Sequence, residues 1–292
     1  MALRITIDIF SGRPNPSMII DGGEERELLD RLRPPSGKGA GEAPRIPAST
    51  LGYRGLQIDQ IGARPARGLP RSFRVAAGHL YGPDLERAAR DPKVDEFICG
   101  TGGPIRLHPQ AGLLVDLCHR EIARFRDLLG KYHWRPLRPI RRRCPCAPLW
   151  EPTWWNDNGQ VQWNNNCYNY STNYRSDTYA QPGQAAGAIY GSIVCADVRA
   201  GAVADRLIAV PRHGNRCPKE GHLVALVVGP GWDFHWYRRG RNGYWTHKPG
   251  GSQATDRDNS GNLIPDPRTA DRGGYTDFCT FMIVMHGHIK IL

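Results

Sequence analysis

The chain has 292 residues and a mass of 32.6 kDa, is 40% hydrophobic and carries eight tryptophans, which excludes a disordered chain and leaves room for two cores. Thirty-nine basic against 28 acidic residues give a formal charge of +11, a balance that suits anionic partners such as nucleic acid, acidic glycans, cell-wall polymers or lipid headgroups. No nucleic-acid-binding module is legible, and no apolar run reaches the length of a membrane span.

Residues 1–10 alternate apolar and polar side chains and predict a strand. They lack the basic start, apolar core and small-residue cleavage site of a secretory signal. The expectation is a cytoplasmic protein, or one exported by a specialised system. Residues 11–16, with Pro14 and Pro16, read as a turn cluster. Helical spacing at 24–32 sets Leu28, Leu29 and Leu32 on one side, and residues 34–49, rich in proline and glycine, read as a long loop. Short strands are predicted at 55–61 and 71–75. An amphipathic helix is predicted over 113–129, with Leu114, Leu117, Ile122, Phe125 and Leu129 on its apolar face. Residues 1–132 are therefore expected to form a small α+β domain without a catalytic constellation.

Residues 133–153 read as an extended proline- and arginine-rich linker. Its cluster of Arg135, Arg138, Arg141, Arg142 and Arg143 is the expected contact for an anionic polymer, or else a solvated spacer. Beyond Trp154 the composition changes. Seven asparagines between positions 156 and 173 are interleaved with aromatic residues that argue for packing. A buried helix is expected over 184–198, followed by strands at 207–210, 222–228, 233–238, 244–247 and 278–285, with 288–292 a further candidate. Helices followed by a run of strands is the α+β pattern, here an antiparallel sheet covered by helices.

Eight cysteines are scattered along the chain, and Cys144 and Cys146 are the one close pair. Their spacing fits a zinc knuckle poorly, although Cys217 and His213 could complete such a site. The missing signal does not favour disulfides. Residues 256–262 offer oxygen ligands at alternating positions, as a calcium loop does. However, Pro267 stands at the twelfth position, where an EF-hand needs a bidentate glutamate. The dense loop at 266–274 is expected to hold structural ion pairs, with lining of a substrate groove as the alternative. No cofactor or metal is called for.

Cys167 follows Asn164, Asn165 and Asn166, all good N-cap types, so a helix opening at Cys167 is expected, with free amides to favour the thiolate and later hold an oxyanion. His222 heads an apolar strand, and His235 comes thirteen residues later. If a tight turn joins the two strands, these histidines could meet near the open end. A base oriented by a second polar side chain is the logic of a nucleophile triad. A rival assignment makes His235 the base and His247 its orienting partner.

Cysteine at a helix start, histidine at the head of an apolar strand and a polar residue a dozen positions on: this order resembles the papain-like superfamily. Cys–His–His is most similar to its NlpC/P60 branch, whose members cleave peptide or amide bonds, typically in bacterial cell walls. The resemblance lies in the C-terminal half only, and Asn166-Cys167-Tyr168 stands where the branch carries Asp-Cys-Ser. It implies a papain-like domain over 154–292, with Cys167 as nucleophile, His222 as base, His235 as orienting residue and Gln162 as an oxyanion donor. The implied partner is a peptide or amide substrate, possible in cell-wall material. The alternatives are a non-catalytic binder of anionic polymer or glycan, and an exported effector.

Overall fold

The computed structural model describes residues 1–33, 43–62, 64–83, 85–131, 143–210 and 214–292. The chain is α+β and divides into two compact units. The first takes in Met1–Ile9, Asn15–Ile46 and Gly52–Gly130; the second takes in Phe10–Pro14, Pro47–Leu51 and Lys131–Leu292.

The first unit is an antiparallel sheet with three helices. Its elements are β1 Ala2–Asp8, β2 Ser17–Asp21, α1 Gly22–Leu32, β3 Gly55–Ile61, β4 Ser72–Ala76, β5 His79–Gly82, β6 Leu85–Ala88, α2 Val94–Cys99 and α3 Ala111–Lys131. The sheet runs β2-β1-β3-β4-β5-β6. The period-two pattern of β1 works as expected: Leu3, Ile5 and Ile7 are buried, while Arg4 is exposed. α3 buries Leu114, Leu117, Ile122 and Phe125. Asp8 is buried between Arg54, 2.6 Å away, and Arg74 at 3.0 Å. Burial alone would raise its pKa, but the two guanidiniums overcome that and hold it at about 2.

The second unit contains α4 Gln160–Asn164, α5 Cys167–Thr172, α6 Cys195–Ala204, β7 Ile208–Ala209, β8 His222–Gly229, β9 Asp233–Arg239, β10 Trp245–His247 and β11 Asp277–Val284. These strands make an antiparallel sheet ordered β10-β9-β8-β11-β7. β8 is buried along its whole length, which is why it reads as an unbroken apolar run. Val224, Leu226 and Val228 share a core with Phe234, Trp236, Met282 and Val284, closed by Cys167 and Tyr168 of α5 and Val198 and Ala202 of α6. Each fully buried large apolar side chain of this cluster contributes roughly 2 kcal/mol to the unit. A tight turn through Gly231, at φ +80°, joins β8 to β9.

Several expectations are corrected. Residues 184–198 do not form one buried helix. The chain makes turns there, α6 begins only at Cys195, and Ile189 is exposed. Gly183 and Gly187 take positive φ, and Gly183 packs so closely on Gly201 and the Ala188 carbonyl that a side chain would not fit. Residues 288–292 form no strand. Cys144 pairs with Cys217 and Cys195 with Cys279, so disulfides are present and the zinc site is not built from these residues. His213 lies outside the described residues, as do 132–142, which hold Arg135, Arg138, Arg141 and Arg142. The described remainder of the expected linker is packed rather than extended: Cys144 and Ala147 are buried, and the Cys144 amide donates to the Arg241 carbonyl at 3.0 Å. No described helix is long and apolar enough to cross a membrane.

Candidate active site

Cys167 is the first residue of α5, as its asparagine-rich approach predicts. Asn166 caps the helix: its side-chain oxygen accepts from the amides of Tyr168 and Asn169 at 3.0 and 3.1 Å. Asn169 returns the contact by accepting from the Asn166 amide at 3.2 Å, completing a capping box. Asn173 closes the helix in the left-handed conformation. The cap therefore uses the Tyr168 and Asn169 amides that an oxyanion was expected to find free. The groups that favour the thiolate are others: the Trp236 amide on β9, the Lys248 ammonium and the amide of Cys167 itself. Against them stand burial and the negative charge of Asp233, which together push the Cys167 thiol well above its usual range.

The histidines separate cleanly. His222 is buried, and its Nε2 lies 2.7 Å from the Ser171 carbonyl, near the C-terminal end of α5. A carbonyl only accepts, so Nε2 carries the proton. Burial lowers the His222 pKa to about 3, leaving a neutral, structural imidazole. The expected meeting of His222 with His235 does not occur. His235 pairs with Val227, five positions along β8 from His222, or about 17 Å.

The rival pair is the one brought together. His235 Nε2 and His247 Nδ1 are 2.9 Å apart, and His247 Nε2 lies 2.7 Å from the Arg257 carbonyl. The carbonyl fixes the protons of the whole row. His247 donates from Nε2, so its Nδ1 accepts, and His235 must donate from its own Nε2. The basic lone pair of a neutral His235 is thereby left on Nδ1. His235 immediately precedes the residue whose amide bonds the Cys167 sulfur. Tyr237 and Tyr275 pack edge-on against His235, with ring centroids at 4.9 and 5.9 Å.

Gln162 lies on α4 and is buried, with its Oε1 making no hydrogen bond. Lys248 follows His247 directly, and its buried ammonium donates to the carbonyls of Gln162, Asn165 and Gly250 at 2.6, 2.5 and 2.7 Å. It therefore ties the chain leading into Cys167 to the chain leaving β10. Asp233 is fully buried and accepts from the Tyr275 hydroxyl at 2.6 Å, and burial raises its pKa to about 6. Sequence reasoning missed both Lys248 and Asp233. Their signal was adjacency, a charged residue one or two positions from a histidine on an apolar strand. Cys167, His235 and His247 are all 0% exposed, so the site is closed in this state. Among the described residues no group of three or more His, Cys, Asp or Glu could hold a metal ion. The carboxylate of Asp258 in the calcium-like loop is instead used by the amides of Asn262 and Asp271.

Over 135 residues the chain is 46% identical to insoluble matrix shell protein 1 of Ruditapes philippinarum. The match takes in 46% of this chain and 87% of that protein. No family model matches the chain. No solved structure matches it either.

Proposed function

The chain belongs to the family of the insoluble matrix shell protein 1 of Ruditapes philippinarum, and on the geometry of its site, independently of that kinship, we propose that its second unit is a papain-like cysteine hydrolase of peptide or amide bonds. The observation that carries the reading is the proton-ordered row Arg257 carbonyl, His247, His235, ending on the strand whose next amide bonds the Cys167 sulfur. In the reaction, Nδ1 of His235 takes the thiol proton as the sulfur adds to the substrate carbonyl carbon. The C–N bond then breaks, the imidazolium proton passes to the departing amine, and a thioester remains. Water, deprotonated by the same imidazole, adds to the thioester and releases acid and thiol. His247 positions the ring and stabilises its charged form. The side-chain amide of Gln162 is the candidate oxyanion donor. The two disulfides favour an oxidising compartment.

The pH profile of Cys167 alkylation by iodoacetamide, read by mass spectrometry, tests this reading. Burial and Asp233 raise the thiol, so wild-type protein is expected to label slowly, with a profile displaced above the ordinary thiol range of about 8.5. Where His235 takes the thiol proton, His235→Ala slows labelling at neutral pH by about tenfold or more, His247→Ala slows it in the same direction, and His222→Ala leaves it unchanged. Labelling indifferent to His235→Ala in the folded protein ends the hydrolase reading.

A second reading, binding of an insoluble polymer, has its own support. Trp150, Glu151, Pro152, Thr153 and Trp154 line a surface cleft. Trp154 is 49% exposed, with the Arg175 guanidinium 4.8 Å from its ring. An aromatic wall beside a carboxylate and a hydroxyl suits a sugar ring, and the relative's name places that protein in an insoluble matrix. Retention on insoluble polysaccharide that falls with Trp154→Ala and persists with Cys167→Ser supports it.

A further inference from the structure

The second unit includes a short segment, Phe10–Pro14, that is remote in sequence from the rest of it. The amides of Ser11, Gly12 and Arg13 all point at the Asp233 carboxylate, at 2.5, 3.2 and 3.2 Å. The Gly12 carbonyl accepts from Nδ2 of Asn166 at 2.8 Å and from Nε2 of Gln181 at 2.7 Å. Gln181 is oriented in turn by the Tyr190 hydroxyl, 2.6 Å from its Oε1. At the centre of the segment there is room for hydrogen only, because a methyl group on Gly12 would overlap the Phe234 ring. Arg13 extends away and donates to the Trp232 carbonyl at 2.7 Å.

Two of these partners bear on the nucleophile. Asn166 directly precedes Cys167, and the charge of Asp233 acts on its thiol. Main-chain amides and a main-chain carbonyl are thus read by side chains, with no strand or helix involved. A loop buried for packing alone would satisfy its backbone at lower cost than by burying a carboxylate. Side chains that pair with an extended backbone while a ring excludes any Cβ are the chemistry of peptide recognition.

Resting on the cysteine-site reading above, we propose that Asn166, Gln181, Asp233 and Phe234 form a main-chain subsite beside Cys167 for an extended peptide with glycine at the Gly12 position, and that Ser11, Gly12 and Arg13 fill it in cis. The substrate class is then a glycine-containing peptide, and hydrolysis requires the resident segment to leave.

The test uses the full chain. Gly12→Val displaces the segment sterically, and Asp233→Asn keeps the shape while removing the charge that gathers the three amides. Folding is checked by circular dichroism and thermal melting. In each folded variant, alkylation of Cys167 is expected to rise by about tenfold or more, because the closed state loses its advantage. In Gly12→Val, acetyl-Ser-Gly-Arg-Pro-amide should slow labelling again, and acetyl-Ser-Ala-Arg-Pro-amide should not. Unchanged labelling in either folded variant, or equal protection by the two peptides, overturns the subsite. Should Gly12→Val fail to fold, Gly12→Ala, whose methyl group overlaps the same ring, takes its place with the same two peptides, because Asp233→Asn also removes a charge that raises the thiol. Faster labelling with selective protection but no response to His235→Ala keeps the subsite and removes the hydrolase reading, so the two fail separately.

Discussion

His222 shows how a single side chain can carry the right pattern in the wrong place. Its position at the head of an apolar strand was fully legible. What the sequence could not show is which end of α5 that strand head meets, because this depends on how the helix lies on β9. The structure sets the imidazole on the Ser171 carbonyl, neutral and buried. The folded state binds a proton only near pH 3, whereas the unfolded chain does so near 6.5. Between those values the unfolded state holds more protons, so stability is present above pH 6.5 and is lost as pH falls towards 3. At pH 5 the loss from this residue is about 2 kcal/mol. Asp233 has the opposite sign. Its folded pKa of about 6 lies above the unfolded value of 3.8, so its contribution is present below about pH 4 and is lost as pH rises through 6. A His222→Gln variant is therefore expected to lose less stability than wild type between pH 7 and pH 5, by about 2 kcal/mol in urea unfolding. Equal losses would show that His222 is not the buried neutral group described.

At the scale of elements, α5 has only six residues, too few to persist by helix propensity alone. Its stability comes from burial and from its caps. The asparagines were a readable signal here, since an N-cap side chain before Cys167 is what the structure contains. The failed helix over 184–198 had a readable counter-signal in Gly183 and Gly187. Apolar spacing outweighed it, because only the fold shows Gly183 pressed against Gly201. The pairing of His235 with His247 was legible as one of two alternatives, and strand order decides between them: β9 lies between β8 and β10. Asn166 joins cap and site in one side chain. Its Oδ1 serves the helix, while its Nδ2 serves the carbonyls of Gly12 and Ala180. Asn166→Ala is expected to cost about 2–4 kcal/mol, for a lost cap plus two buried carbonyls left unpaired. Asn166→Asp keeps the cap acceptor but sets a buried carboxylate oxygen against the carbonyl oxygens of Gly12 and Ala180, so it should cost at least as much. Chemical denaturation compares the two variants, and a clearly smaller loss for aspartate than for alanine would contradict the assignment.

For the whole molecule, eight cysteines were countable in the sequence but their partners were not, because pairing needs spatial proximity. The two disulfides both lie in the second unit, with Cα–Cα distances of 5.4 and 5.3 Å. Cys195 opens α6 and Cys279 lies on β11, so one of them fastens a helix to the sheet beside it. The first unit holds Cys99 and Cys118 as buried thiols. The bridges span 73 and 84 residues, and in the chain-entropy account loops of that size contribute about 4–5 kcal/mol each. Reduction should therefore act on one unit and spare the other. The placement of the tryptophans supplies the probe, because all eight fall at positions 134–245 and none belongs to the first unit. Urea unfolding followed by tryptophan fluorescence thus reports the second unit alone. With excess dithiothreitol its midpoint is expected to drop sharply, or the unit to unfold without denaturant. Hydrogen exchange of the β1 and β3 amides should show the first unit unchanged. A tryptophan transition indifferent to reductant would mean that the cross-links do not hold the second unit together. Loss of protection in β1 and β3 on reduction would mean that the two units do not unfold separately.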